Sequence, residues 1–413
     1  MSDILPTTSS WRRVLRPGLQ GFDRLRRWCT QLLDRLRISE NTFMAILAVA
    51  IGLLSGLGNY AFRKLIDFFH WLVIVQGTAL FRIDLEQWGP ERFWVVLFPV
   101  AGGLLLLPFG RFWPKDLRFG FPQFLARVNL KGGKVPARTI LTRGVASAVT
   151  IGTGGSAGQE GPIAQIGGGI GSQIGQLFQM SGDRLKVLVA CGVSGGVAAT
   201  FNAPIAGVFF AQEIVLLSSF EISSFTPIVI ASGMSTVVSR ALLGNTPAFA
   251  VPPYLVRSAW DLILYALLGL IIGFLAASFI DLHFRIKDRF AALKLPPLAK
   301  PILGGALVGL IGVAFPQVFG NGYEFLETVL HGQAAFYLLA ALVLAKAVAT
   351  SLTLGSGLPG GLFAPSLYIG AVTGGAFGHL ARAFFPSIAS SPGTYALVGM
   401  GAFLSADTHA PMT

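Results

Sequence analysis

Charge is what this sequence has least of. Only 12% of its 413 residues are Asp, Glu, Lys or Arg, against roughly 25% in a soluble domain. So few charges could not cover the surface of a soluble chain this long, which excludes a cytosolic enzyme and a disordered polymer. Cysteine is nearly absent. Cys29 and Cys191 leave no disulfide framework and no CxxC pair. The five histidines (His70, His283, His331, His379, His409) form no ligand-spaced cluster, so no metal site is expected. No apolar h-region marks a cleavable signal peptide. GSGLPG at 355–360 fits GxGxxG but follows an apolar helical run, with no acid at the distance a dinucleotide fold needs. LKGGKV at 130–135 lacks the first Gly and the Ser/Thr of a phosphate loop. There is no potassium-filter motif, no nucleophile elbow and no catalytic constellation. An enzyme is not expected, and neither is a cofactor.

What is abundant is apolar sequence. Hydrophobic residues make up 53% of the chain, mean hydropathy is +0.67 and glycine occurs 51 times. Small residues let transmembrane helices approach closely. The expected class is an all-α, polytopic membrane protein. Apolar stretches fall near 43–62, 93–110, 138–158, 162–178, 187–200, 204–217, 224–242, 261–280, 301–318, 334–354, 362–381 and 394–406. Several are shorter than the roughly 20 residues of a straight span, as tilted or broken helices would be.

The net charge of +12 follows from topology rather than nucleic-acid binding. Residues 1–42 hold eight arginines and read as a cytoplasmic basic segment on the membrane face. Segment 111–143 carries eight Lys/Arg against Asp116, and 281–300 carries five against two acids. Both are expected inside, while the net acidic 77–92 and 319–333 are expected outside. This places the N-terminus in the cytoplasm of a multi-pass protein of the cell membrane.

A repeat runs through the chain. EGPIAQIGG at 160–168 matches FAPSLYIGA at 363–371. GFPQFL from Gly120 matches GYEFLE from Gly322, and FNAP ending at Pro204 matches THAP ending at Pro411. The offsets are 203, 202 and 207. Gly120 falls in an expected inner loop and Gly322 in an outer one, so the two units, 43–242 and 243–413, are read as inverted-topology repeats.

The repeated motifs break helices at Gly and restart them at Pro122, Pro162, Pro204 and Pro365. Four such starts at membrane depth expose N–H groups and the positive ends of helix dipoles, which suit a passing anion. Dipoles permit release where a full charge would hold the ion too tightly. The ladder Gly167, Gly171, Gly175 reads as packing only. Glu160 reads either as a helix-cap carboxylate or as a tethered anion that competes with the permeant ion until protonation releases it. Glu213 reads as an ion-pair partner or a proton relay. Lys346 either draws anions to an outer vestibule or snorkels to the interface.

At GQEGPIAQIGG (158–168), FNAPIAG (201–207) and GGLFAP (360–365) the chain resembles the CLC family of chloride channels and proton/chloride exchangers, from about residue 43 onward. The resemblance implies a homodimer in the lipid bilayer, with one pathway per subunit for chloride or another small anion. It makes Glu160 the gate. It puts anion-binding groups at Phe119, Gly120, Phe121, Gly161, Leu362 and Phe363, with Gln159 and Lys346 at the outer mouth. RFGFP (118–122) departs from the family's GSGIP, with Phe119 in place of the anion-binding serine. Ile214 follows Glu213 where exchangers carry a second glutamate, which favours a gated chloride channel. The alternative is a proton-coupled antiporter. The family also implies helices beyond Thr413, so a C-terminally incomplete, non-conducting fragment or scaffold is a further alternative.

Overall fold

Most helix boundaries are written locally. The computed structural model describes residues 39–84, 89–217, 222–254 and 257–413, which leaves all but the end of the basic segment 1–42 outside the described residues. Helix α1 (Glu40–His70) opens on Ser39, whose hydroxyl accepts the Thr42 N–H at 3.3 Å. A π turn, Trp71–Val75, carries it into α2 (Gln76–Phe81). Then follow α3 (Leu97–Leu105), α4 (Leu107–Phe112), α5 (Pro114–Leu117), α6 (Phe121–Leu130), α7 (Ala137–Gly152), α8 (Glu160–Leu177), α9 (Gly182–Phe201), α10 (Pro204–Phe210) and α11 (Ile222–Leu243). The second half holds α12 (Asp261–Ala292), α13 (Ala299–Ala314), α14 (Tyr323–Leu330), α15 (Phe336–Gly355), α16 (Phe363–Phe384) and α17 (Pro392–Thr408). Ser391 caps α17 as Ser39 caps α1, accepting Thr394 N–H at 3.3 Å. Among the described residues six helical segments are long and apolar enough to cross a bilayer. Helix α12 leaves Leu262, Ile263, Leu270 and Phe274 exposed, as a lipid-facing surface requires.

The repeat seen in the sequence is a repeat of contacts. Gly167 and Gly171 of α8 lie against the backbones of Gly192 and Leu188 of α9. Their mates Gly370 and Gly374 of α16 lie against Gly399 and Tyr395 of α17. Gly102 faces the Thr153 hydroxyl as Gly304 faces that of Ser356. The two halves meet at Gly158 and Gly361, an antiparallel pair with N–H···O distances of 2.8 and 2.9 Å. An antiparallel pair between repeat-equivalent residues is what a two-fold axis through it produces, so a pseudo-two-fold relates the halves, as an inverted repeat requires.

Each half keeps its own core. The first gathers Met44, Phe124, Val193 and Ile228; the second gathers Leu326, Leu342, Tyr368 and Met400. The glycine ladder is packing, as expected. At Gly192 a side chain would enter the carbonyl of Gly167. Gly192→Val should therefore cost about 3 kcal/mol or more, since backbone cannot move aside as a flexible side chain can. The check is a lower unfolding temperature and loss of monodisperse protein in detergent.

Candidate functional site

The site begins with helices that start without caps. At α6, α8 and α16 the residues before the first turn are Gly120, Gln159 and Leu362, and none supplies a side-chain cap. The first-turn N–H groups have no intrahelical acceptor. Proline tolerates any of these positions, because the N–H it lacks would be unpaired there. Pro204 takes the first position of α10 as expected, but Pro122 takes the second position of α6. Pro162 and Pro365 take the third in α8 and α16. Glu160 and Phe363 thereby become the first residues of their helices.

The Glu160 carboxylate is fully buried. Its Oε2 accepts the Ala364 N–H at 3.1 Å, in the first turn of α16. Its Oε1 accepts the Tyr323 hydroxyl. The Glu160 carboxylate thus reaches from the start of its own helix to the start of the repeat-equivalent one. Tyr323 is aimed by its backbone. It opens α14 directly after Gly322, whose φ of +82° favours glycine, and its ring lies edge-on to Phe249 at 4.8 Å.

Gly161, the residue after Glu160, lines a cavity of about 840 Å³. Gly120, Phe121, Gly161, Leu362 and Phe363 all line it. So does Phe210, whose ring stands 6.1 Å from Phe121 and 5.6 Å from Phe363, forming an aromatic row. Arg118, Arg143, Lys287 and Lys300 face the same space, with Asp407 as its acid. The cavity therefore carries net positive charge, which raises the local concentration of anions. Dipoles alone were expected to do this. The cations come from segments 111–143 and 281–300, whose charges also report topology.

Several expectations are corrected. Phe119 does not line the cavity. Its N–H is spent on the Asp116 carbonyl at 3.1 Å, and its ring packs on the first core and against Arg127. The fourth break, at Pro204, points elsewhere: only the far end of α10 and the turn after it, Phe210 and Ile214, reach the cavity. Gln159 and Lys346 do not line an open vestibule, being 6% and 0% exposed. The Lys346 ammonium donates to the carbonyls of Val318 at 2.8 Å and Gly320 at 3.0 Å, and lies over the Tyr368 ring at 4.9 Å. Gly320 also accepts the Ala157 N–H at 3.3 Å. Lys346 thus fixes the turn that leads to Tyr323. Glu213, in the π turn Ala211–Val215, accepts the Met412 N–H at 3.0 Å and the Thr413 hydroxyl at 2.6 Å, while its neighbour Ile214 faces the cavity.

The family model described as "Voltage gated chloride channel" matches residues 101–413. An H(+)/Cl(-) exchange transporter, ClcA, of Citrobacter koseri is 32% identical over 94% of this chain and 83% of its own length. A ClcB-like protein of Ralstonia nicotianae is 32% identical over 89% of this chain and 86% of its own length. Among solved structures, a slow cyanobacterial Cl-/H+ antiporter superposes with a TM-score of 0.76 at 25% identity, covering 91% of this chain and 87% of the other.

Proposed function

We propose that this chain, which belongs to the CLC family of voltage-gated chloride channels, exchanges chloride for protons across its membrane, with Glu160 carrying both gate and proton. The observation that carries the reading is the Glu160 carboxylate seated on the Ala364 N–H, with the chain neighbours Gly161 and Phe363 lining a positively charged cavity. Ionised, the carboxylate occupies the helix start and excludes an anion. Protonated, it loses the charge–dipole attraction that holds it there, and chloride takes the place. Each exit of a neutral Glu160 and return of a charged one moves a proton against a chloride ion. The exchangers among the relatives support this reading over the channel that Ile214 first suggests. Within it, Gly120, Phe121, Gly161, Leu362 and Phe363 offer main-chain groups to the anion, and Lys346 acts through the Tyr323 turn. The subunit is placed in a homodimer in the cell membrane with its N-terminus inside, an assignment supported by family membership and loop charge.

A channel is the second reading, favoured by Ile214 on the cavity wall. The two are separated by the reversal potential of chloride current in a planar bilayer under a pH gradient. Exchange shifts it with the gradient; a channel leaves it at the chloride equilibrium potential.

A further inference from the structure

If protons cross this protein, they need a titratable group on the cavity side of Glu160. Ile214 cannot carry a proton, and the Glu213 carboxylate is turned away toward Met412 and Thr413. The cavity wall offers two groups that no sequence motif marks. Asp407, near the end of α17, lines the main cavity, and its Oδ2 accepts the Ser366 hydroxyl at 2.6 Å. Ser366 lies two residues beyond Ala364, so Asp407 and Glu160 bond to the same opening turns of α16. His283, on α12, is 9% exposed, and its Nδ1 has no hydrogen-bond partner. Both side chains line the main cavity and also a side pocket of about 180 Å³, together with Leu362, the residue that precedes α16.

A buried imidazole nitrogen without a partner is costly unless water or a proton reaches it. A carboxylate on a largely apolar wall is costly unless it is paired or used. Here the two share a pocket that joins the anion path at the start of α16. From the geometry we infer that Asp407, assisted by His283, is the inner proton relay of this exchanger. Asp407 takes a proton from water in the cavity and passes it by water toward Glu160. His283 accepts and returns the same proton at its free Nδ1. Neither step forms or breaks any bond other than those to the proton. The charges that face the pair are Lys287 on α12, Lys300 on α13, Arg118 and Arg143 across the cavity, and His409 beyond Asp407.

The inference rests on the exchange reading, and one experiment separates their fates. Purified protein is reconstituted in liposomes with a chloride gradient, and chloride efflux and uphill proton uptake are recorded together. The wild type is compared with Asp407→Asn, Asp407→Glu and His283→Gln. Asn keeps an acceptor for Ser366 but cannot carry a proton. Proton uptake in Asp407→Asn should fall by about a hundredfold, the range for losing a positioned acid–base group, while chloride efflux persists. Asp407→Glu should restore proton uptake, and His283→Gln should slow it several-fold. A wild type that moves chloride without protons overturns the exchange reading. A coupled wild type with equal proton-to-chloride ratios in Asp407→Asn overturns the relay alone. Should Asp407→Asn lose chloride flux too, failure of Asp407→Glu to recover proton coupling overturns the relay as well.

Discussion

Glu160→Gln should abolish proton movement and leave chloride moving. Glutamine keeps the size of the side chain, and its one carbonyl oxygen can still accept from Ala364 or from Tyr323. It lacks the charge that competes with an anion for the start of α16, and it binds no proton. Proton transport should drop by about a hundredfold or more. Chloride flux should become independent of pH, because no titrating group now decides whether the anion site is free. The sign follows from the seat itself. In the wild type, lowering pH neutralises the carboxylate and frees the site, so flux rises. In Glu160→Gln the site is free at every pH. Parallel chloride-electrode and pH-electrode traces from proteoliposomes between pH 4.5 and about 7.5, a range chosen to span carboxylate titration in a protein, would check both halves. A mutant that keeps the wild-type pH response would remove Glu160 from the gate.

Tyr323→Phe should loosen the same gate without removing it. The phenol is the one side-chain donor seen on the carboxylate among the described residues. A hydrogen bond to a charged group is worth about 2 kcal/mol, which corresponds to roughly a thirtyfold change in how long Glu160 stays seated. Chloride flux near neutral pH should therefore rise several-fold, while proton coupling persists because Glu160 still titrates. The phenylalanine retains the edge-on contact with Phe249, so the fold should hold. Unchanged flux at neutral pH would mean that the phenol does not restrain the gate. Loss of coupling would mean that it does more than restrain it.

The residues differ in how visible they were before the fold was known, and the reason is physical. The starts of α8 and α16 were legible because an inverted repeat preserves chain direction. GQEGP and GGLFAP therefore recur at a fixed offset even though the helices they begin meet head-on. The glycine ladder was legible for the same reason, its spacing being that of one helix face. Tyr323 was half legible. It is the repeat mate of Phe121, in the GYEFLE match to GFPQFL, yet nothing local shows that its hydroxyl reaches a carboxylate 163 residues away. Asp407 and His283 were not legible, since each stands among other polar residues, Thr408 and His409 beside the one and Asp281 and Arg285 beside the other, and only the fold puts the two on one pocket. Phe119 misled in the opposite way. Its place in the chain matches the family's serine, but its ring turns into the core, where an aromatic is stable, and leaves Gly120 and Phe121 to face the cavity.

Simultaneous recording of chloride efflux and proton uptake by the wild-type protein tests the account most directly. With chloride running down its gradient out of liposomes at symmetrical pH, the seated Glu160 requires protons to move inward, uphill as uptake proceeds, in fixed proportion to the chloride lost. Chloride efflux with no proton uptake would contradict it.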